Sequence, residues 1–364
     1  MFDYKNKIWK SALLLCLVGL TLLSVYVLKP HVDPNGDGPS YLEAIEVMQT
    51  RQIPQNFNPN RILTTFLGLQ TVSLLSHITG NVVSAWFVMN LALYFLMAIA
   101  FYNLTTGLFG SERTAFLGTL LLVANYAAIN FGLGFFMDIG GWAFYIFSIY
   151  FLFLYTESKN WKHLLVSALM VGLGGLFKEY AFLACIPIFC YLVYDNYPSL
   201  WKIIKKGLAP ATIALLPTAI LHLYIYQKFH YTYLDWLSMN QNYYIYESRI
   251  IEYIKSFGSL LNILFFPFIF GLYFLLRRGS EILPERKYLI FVWSAVLSVL
   301  PIFFWPAITQ RILFITLPAI ALVSCFAFKK YEKYWYLFLV FLVCYVIINF
   351  IMDSFLLSHI NLPF

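Results

Sequence analysis

Charge is scarce in this sequence, and long polar stretches are missing from it. Only 11% of the 364 residues are charged, whereas about 25% is usual for a soluble chain. This shortage excludes a separate soluble domain. Apolar runs of about 20 residues, the length that crosses a bilayer as a helix, recur instead from one end to the other. The sequence therefore predicts an all-α polytopic membrane protein with one transmembrane domain over residues 1–364.

Cysteines are few, and they lie in apolar segments. A thiol in such a place behaves as a small hydrophobe, so the five cysteines predict neither disulfides nor a metal cluster. A divalent metal held by carboxylates stays open. No small-x-small cleavage site follows the first apolar run, Ser11 to Leu28, which is therefore predicted to be an uncleaved span. The net charge of +7 comes from basic residues beside apolar runs and indicates membrane topology rather than nucleic-acid binding.

About eleven transmembrane helices are predicted, with boundaries good to about two to four residues. They cover about residues 9–28, 82–103, 114–135, 140–156, 163–177, 180–195, 207–227, 259–276, 288–305, 311–328 and 334–352. One more apolar stretch, Ile62 to Ile78, carries Gln70, Ser73 and His77 along one helical face. Such a polar stripe fits a helix that crosses the membrane beside others or one that lies along its surface.

Loop charge decides between these two placements of residues 62–78. If the stretch lies flat, 16 of the 24 basic residues fall on the cytoplasmic side, as the positive-inside rule requires. If it crosses, later basic clusters such as Lys202 to Lys206 move outside. We therefore expect juxtamembrane helices within a first external loop at 29–81 and a second long external loop at 228–258. The amino terminus is then cytoplasmic and the carboxyl terminus external.

Eight of the 24 basic residues remain on the outer side against this charge bias, and three of these adjoin helix ends with almost no loop. Arg61, Lys178 and Arg311 each adjoin a predicted helix end on the outer side. Any one of them alone is best explained by snorkelling to lipid headgroups or by pairing with a neighbouring acid, such as Glu179 beside Lys178. Three that converge on one face from distant segments fit a phosphate or pyrophosphate site better.

Acidic residues gather at the same face. Asp37 follows the first span in a turn rich in glycine and proline, with Asp33 as its nearest rival. Ser40 and Glu43 match a capping box, which leaves Asp37 the freer carboxylate. Asp138 falls between two spans at the same outer boundary, where a helix cap and a functional carboxylate are equally good interpretations.

Aromatic side chains crowd the second external loop. They are Phe229, Tyr231, Tyr233, Trp236, Tyr243, Tyr244, Tyr246, Tyr253 and Phe257. An interfacial belt is the default explanation, and stacking on sugar rings is the other. Their number alone does not separate the two.

Four local features occur in order over residues 1–200. They are the run from Asp37 to Tyr41 after the first span, Arg61 at the start of an apolar juxtamembrane helix, Asp138 in the next external loop, and Lys178 followed by Glu179. Together they resemble the GT-C class of polyprenyl-phosphate-dependent membrane glycosyltransferases, especially its protein mannosyltransferase and lipid A aminoarabinose transferase branch. The resemblance implies that Asp37 activates the acceptor as a base and that Asp138 contributes to the same site. It also implies that Arg61 and Lys178 hold the lipid phosphate.

The leading hypothesis is therefore a multi-pass glycosyltransferase of the bacterial plasma membrane and cell envelope. It would move a sugar, with inversion, from a polyprenyl-phosphate carrier to a lipid, glycan or protein acceptor at the non-cytoplasmic face. The catalytic candidates are Asp37 and Asp138, the carrier-binding candidates are Arg61, Lys178 and Arg311, and the secondary candidates are Asp33, Glu179 and Tyr41. The alternative is a transporter of lipid-linked glycans, which the lack of internal repeats and of charge within the spans disfavours. A scaffold subunit would leave the converging charges unexplained.

Overall fold

The computed structural model describes residues 4–28, 37–55, 57–243, 249–305 and 309–359, and the regular secondary structure in these ranges is helical. The helices are α1 (Tyr4–Leu28), α2 (Gly38–Thr50), α3 (Asn60–Thr79), α4 (Val82–Phe109), α5 (Glu112–Val123), α6 (Tyr126–Leu133), α7 (Asp138–Ser158), α8 (Trp161–Phe177), α9 (Cys185–Asn196), α10 (Leu200–Phe229), α11 (Tyr233–Tyr243), α12 (Arg249–Leu261), α13 (Phe265–Ile282), α14 (Arg286–Ser298), α15 (Gln310–Leu313), α16 (Leu317–Lys330) and α17 (Trp335–His359). Short 3-10 segments lie at Glu179–Ala184, Asn262–Leu264, Leu300–Phe304, Phe314–Thr316 and Glu332–Tyr334.

The all-α polytopic fold predicted from the sequence is confirmed. Within the described ranges, nine helical segments are long and apolar enough to cross a membrane, or ten if the pair α5 and α6, bent by 59°, forms one span. The predicted count of eleven is approximate: the nine segments include α3, which was predicted to lie along the interface, and two of the predicted spans are short helices. Helix α8 has 17 residues and α9 has 12, fewer than the 20 or so that a perpendicular crossing needs.

Local signals in the sequence set several helix boundaries. The Asn81 side chain caps α4 by accepting a hydrogen bond from the Ser84 amide at 2.7 Å. Asn160 caps α8 in the same way, through the Lys162 amide at 3.1 Å. An asparagine in this position satisfies an amide that the helix itself leaves unpaired. These caps fix where the chain turns at each end of the bundle.

Close helix packing forms the core around α16. Every residue of α16 from Leu317 to Phe328 is buried. Helix α13 approaches it at Gly271, where an added Cβ would lie 2.1 Å from the Val323 carbonyl oxygen. Small residues at such contacts let helices pack through van der Waals contact where lipid supplies little driving force.

Helix α7 joins two charged ends of the bundle. At its carboxyl end, Lys159 pairs with Asp195 of α9, and Lys287 lies 2.8 Å from Glu157. Its amino end begins at the buried Asp138. The 21 residues of α7 separate the two ends by about 30 Å at 1.5 Å per residue.

Both ends of α3 lie at the Asp138 end. Its first turn carries Arg61, which pairs with Asp37 close to Asp138. Its last residue leads by a two-residue turn into α4, where Trp86 Nε1 donates a hydrogen bond to the Phe136 carbonyl oxygen at 3.0 Å. Phe136 precedes Asp138 by two positions. Helix α3 therefore starts and finishes at one end of the bundle, as expected for a juxtamembrane helix, while its position relative to lipid stays a prediction.

Candidate active site

Asp37 lies between two arginines that come from opposite parts of the chain. Its Oδ1 pairs with Arg61 at the start of α3. Its Oδ2 accepts a hydrogen bond from Arg311 Nη1 at 2.8 Å, and Arg311 belongs to α15. Asp37 was predicted to be the freer carboxylate, and that prediction is wrong because both of its oxygens are ion-paired.

The first turn of α2 holds Arg61 in place. The Ser40 hydroxyl accepts a hydrogen bond from Arg61 Nε at 2.9 Å and donates one to the Asp37 carbonyl oxygen at 2.7 Å. The Arg61 guanidinium stacks over the ring of the buried Tyr41, 4.6 Å from its centroid. A cation over an aromatic face is attracted to the ring quadrupole. Arg61 is therefore fixed on three sides.

The capping box predicted from Ser40 and Glu43 does not form. Helix α2 starts at Gly38, and its N-cap residue is Asp37, whose side chain makes no cap hydrogen bond. Pro39 lies in the first turn, where its fixed φ favours an earlier helix start. Ser40 consequently lies inside the helix, and its hydroxyl is free to bind Arg61.

Asp138 is fully buried at the first turn of α7. The helix cap is Met137 and not Asp138, and the carboxylate makes no hydrogen bond of ordinary geometry within the described chain. Arg311 Nε lies 3.6 Å from Asp138 Oδ2, and the Tyr180 side chain faces the same carboxylate. The interpretation of Asp138 as a structural cap is therefore wrong.

Lys178 also lies close to Asp138. It lies in extended backbone between α8 and the 3-10 segment, and only 4% of it is exposed, which excludes snorkelling. Its Nζ lies 3.8 Å from Glu179 Oε1, whereas Glu179 Oε2 is buried without a hydrogen-bond partner among the described residues. Burial opposes the charged form, but Glu179, Tyr41 and Asp138 outweigh it and raise the pKa of Lys178.

These six side chains form what we call the charged cluster: Asp37, Arg61, Asp138, Lys178, Glu179 and Arg311. The structure thus brings together both catalytic candidates, all three carrier-binding candidates and two secondary candidates, Tyr41 and Glu179. Asp33 lies outside the described residues. Three cationic side chains face three carboxyl groups in a largely buried site, so each cation has its positive charge matched nearby.

Two cations dominate the electrostatics of Asp37. Burial on its own would raise the pKa of Asp37. The guanidinium groups of Arg311 and Arg61 outweigh that effect and hold the pKa well below its usual range. In this arrangement Asp37 is ionised but a weak base.

An apolar cavity of about 460 Å³ adjoins the charged cluster. It is lined by Leu63, Thr64, Gly175, Glu179, Tyr180, Phe182, Leu183, Thr218, His222, Tyr233, Pro301, Ile302, Phe304 and Trp305. Glu179 and Tyr180 belong to both the cavity wall and the surroundings of Asp138. The cavity therefore opens directly beside the charges.

Two cavity residues, Thr218 and His222, were missed by the sequence interpretation. They are four positions apart on the otherwise apolar α10, and His222 stacks on Tyr233 at 5.8 Å between ring centroids. Their spacing places both on one helical face, and this polar pair is the signal that could have identified the cavity wall.

The aromatic residues of the segment predicted to be the second external loop, residues 228–258, divide into two groups. Tyr233 lines the cavity, and Trp236 packs against it at 4.9 Å between ring centroids. Tyr253 instead donates a hydrogen bond to the Phe303 carbonyl oxygen at 2.6 Å. Tyr244 and Tyr246 lie outside the described residues.

The part of the chain that the structure describes contains no group of three or more histidine, cysteine, aspartate or glutamate side chains arranged to hold a metal ion.

A family model for dolichyl-phosphate-mannose-protein mannosyltransferase matches residues 47–224. The matched range includes Arg61, Asp138 and Lys178 but neither Asp37 nor Arg311. No curated protein matches the chain in sequence.

Solved structures match the fold over nearly the whole chain. The crystal structure of ArnT from Cupriavidus metallidurans in the apo state has a TM-score of 0.65 at 12% identity, covering 92% of this chain and 62% of that one. The Archaeoglobus fulgidus oligosaccharyltransferase, crystallised in complex with Zn and sulfate, has a TM-score of 0.59 at 14% identity, covering 93% and 52%. The present chain thus spans less than two thirds of either protein. The likeness shows that the chain shares the fold of these two proteins, as the sequence resemblance implied.

Proposed function

We propose that this chain, which has the fold of the GT-C class of membrane glycosyltransferases, transfers a sugar from a polyprenyl-phosphate carrier to an acceptor at the non-cytoplasmic face. The observation that carries the proposal is the charged cluster beside an apolar cavity at one end of a helical bundle. A polyprenyl phosphosugar has matching parts, since an anionic phosphate joins a long apolar chain to a sugar. The acceptor class, whether lipid, glycan or protein, stays open.

The donor would bind across the boundary between the cavity and the cluster. Its phosphate would lie against Arg61, Arg311 and Lys178, because guanidinium and ammonium groups make the strongest hydrogen bonds to phosphate oxygens. The first units of its chain would fill the cavity along Tyr180 and Phe182. Glu179, at the junction, would face the linkage between the two.

A single displacement accounts for the transfer. The acceptor hydroxyl attacks the anomeric carbon, and the bond from that carbon to the phosphate oxygen breaks with its electron pair going to the departing polyprenyl phosphate. Asp37 takes the acceptor proton, which general-base catalysis requires, and the cationic side chains stabilise the charge that develops on the phosphate. Attack opposite the leaving group inverts the anomeric configuration. Asp138 would hold Arg311 in position from the buried side.

The membrane placement belongs to the same proposal. A bacterial plasma membrane would hold the Lys159 end of the bundle in the cytoplasmic leaflet and the Asp37 end in the outer leaflet. The amino terminus would be cytoplasmic and the carboxyl terminus external. The basic side chains of the Lys159 end, including Lys206, Lys287 and Lys330, support this orientation through the positive-inside rule.

A transfer assay in proteoliposomes tests the proposal. Radiolabelled polyprenyl-phosphate sugars extracted from cells would be incorporated with the purified protein and candidate acceptors. Label that leaves the carrier lipid, and fails to leave it with Asp37→Asn, is the expected result. Label that crosses the bilayer while attached to its carrier would instead establish the transporter alternative.

A further inference from the structure

The charged cluster has no surplus positive charge with which to receive a phosphate. Arg61, Lys178 and Arg311 supply three cations, and Asp37, Asp138 and Glu179 supply three carboxyl groups. Adding an anionic donor to this set would leave unmatched negative charge in a largely buried site, which is costly. The arginine donors that Asp37 now occupies can bind a phosphate only if its carboxylate moves away from them.

We propose that Asp37 occupies the phosphate position between Arg61 and Arg311, and that the donor phosphate binds there by displacing it. This inference rests on the proposed donor class and adds a second role for Asp37 before catalysis. The Asp37 carboxylate presents one oxygen to each arginine. Two phosphate oxygens can take the same donors in the same bridging arrangement.

Asp37 is the carboxylate best able to move. Its side chain is 24% exposed, compared with 14% for Glu179 and 0% for Asp138. Asp138 is enclosed at the first turn of α7, and Glu179 faces Lys178 rather than an arginine. Asp37 precedes α2, so a change of its side-chain rotamer leaves the helices in place.

The displacement couples donor binding to base activation. While both arginines hold Asp37, its carboxylate is turned toward them and its pKa lies well below the usual range. Transfer of Arg61 and Arg311 to the phosphate frees both oxygens for the acceptor hydroxyl and lets the pKa rise toward the ordinary aspartate value. The base is thus available only when a donor occupies the site. Departure of polyprenyl phosphate lets Asp37 return to the arginines.

Direct binding of farnesyl phosphate, a short polyprenyl phosphate, tests the displacement. Calorimetry on the purified protein in detergent would compare the wild type with Asp37→Asn, which removes the competing charge. The expected result is binding about tenfold tighter or more in Asp37→Asn, since each charged hydrogen bond to Asp37 no longer has to be broken. Asp195→Asn, which removes a doubly paired aspartate at the Lys159 end, should leave the affinity unchanged.

Misfolding of Asp37→Asn is a risk because the substitution removes the ion-pair partner of the half-buried Arg61. A double variant that also neutralises Arg61 keeps the charge of the cluster balanced and controls for this effect. Arg61→Gln should weaken farnesyl phosphate binding, and adding Asp37→Asn to it restores the charge balance and should strengthen binding again. Equal or weaker binding after removal of Asp37, in either background, overturns the displacement while leaving the donor class intact. Absence of farnesyl phosphate binding in the wild type and in every variant would instead contradict the proposed donor itself.

Discussion

The two ends of α7 use the same kinds of charged side chain in opposite surroundings. At the carboxyl end, the Lys159 side chain is 49% exposed and Glu285, a partner of Lys287, is 54% exposed. At the amino end, no member of the charged cluster exceeds 24%. Exposed pairs contribute about 0–1 kcal/mol each, whereas burying a charge is expensive unless it is paired. A fold that buries Asp138 and Lys178 and half-buries the other four members of the cluster has placed them there at a cost to stability, which argues for a function.

The difference in surroundings also separates two uses of basic residues. Those near Lys159, such as Lys206, Lys287 and Lys330, lie at or near helix ends and pair with neighbouring acids. Membrane topology is sufficient to explain their number. Arg61, Lys178 and Arg311 come from three distant segments and meet around carboxylates. Perturbing matched positions at the two ends should therefore give unequal effects, as should perturbing positions inside and outside the charged cluster.

Membrane sidedness should give an all-or-none difference between the ends. Asn81 caps α4 at the Asp138 end, and Asn160 caps α8 at the Lys159 end. In a background without native cysteines, Asn81→Cys should react with an impermeant thiol reagent from outside, and Asn160→Cys only after the membrane is opened. Because both substitutions remove a helix cap, any effect of losing the cap should be similar in the two variants. Labelling of Asn81→Cys from the cytoplasmic side alone would invert the topology and refute α3 as an outer juxtamembrane helix.

Neutralising an aspartate should abolish transfer at one end only. Asp37→Asn keeps the shape of the side chain but removes the base, and loss of a general base lowers rates by about 10²–10⁴. Asp195→Asn breaks ion pairs at the Lys159 end and should leave kcat within about twofold, because its lysine partners are 49% and 44% exposed and such pairs contribute little. If Asp37→Asn retained the wild-type rate while Asp138→Asn lost it, the base would be Asp138.

Removing a cation should weaken carrier binding at the Asp138 end. Arg311→Gln should reduce the affinity for farnesyl phosphate by about 10- to 100-fold, because a hydrogen bond to a charged group contributes about 1.5–3 kcal/mol. Lys287→Gln removes an equally well paired cation at the opposite end and should not change the affinity. Equal losses in both variants would mean that the effect is general charge attraction rather than a site.

A methyl group at Gly141 should disturb the cluster through packing. A Cβ there would lie 2.8 Å from Lys178 Cβ, so Gly141→Ala must push the Lys178 segment away from α7. Overpacking typically destabilises by about 1–3 kcal/mol, and we expect a lower melting temperature with reduced transfer. Gly258→Ala, on α12, meets nothing within 4 Å and should melt like the wild type. Identical melting and transfer in the two variants would show that the close approach is unimportant.

The smallest effect is expected from the hydroxyl that steadies Arg61. Ser40→Ala removes the acceptor of Arg61 Nε, and a hydrogen bond of this type contributes about 0.5–1.5 kcal/mol. Farnesyl phosphate affinity should fall by about two- to tenfold on that basis. Thr50→Ala removes a hydroxyl bonded to the Glu46 carbonyl oxygen at the exposed end of the same helix and should have no effect on binding.

The sequence was sufficient for the helical fold and for the residue types of the site. Apolar runs and loop charge are local properties, so they predicted the helices and singled out Arg61, Lys178 and Arg311. These local properties did not predict which residues contact each other. Arg311 follows Asp37 by 274 positions, and only tertiary packing determines that it is Arg311, rather than Lys178, that shares Asp37 with Arg61.

The errors in the sequence interpretation have the same origin. Ser40 and Glu43 fit a capping box locally, but Pro39 and the hydrogen bond from Arg61 Nε to the Ser40 hydroxyl favour an earlier helix start. Asp37 was taken as the freer carboxylate because the capping box was expected to engage Glu43, whereas its two arginine partners are distant in sequence. His222 and Thr218 attracted no notice on an apolar helix, since a cavity exists only between packed helices.

A structure with farnesyl phosphate bound would test the central claim most directly. Single-particle analysis of the protein in nanodiscs would locate the phosphate relative to the two ends of α7. We expect the phosphate between Arg61 and Arg311, with the chain in the cavity beside Tyr180 and the Asp37 carboxylate turned away from the arginines. A phosphate bound at the Lys159 end, with Asp37 still paired to both arginines, would contradict the assignment of the charged cluster as the reaction centre.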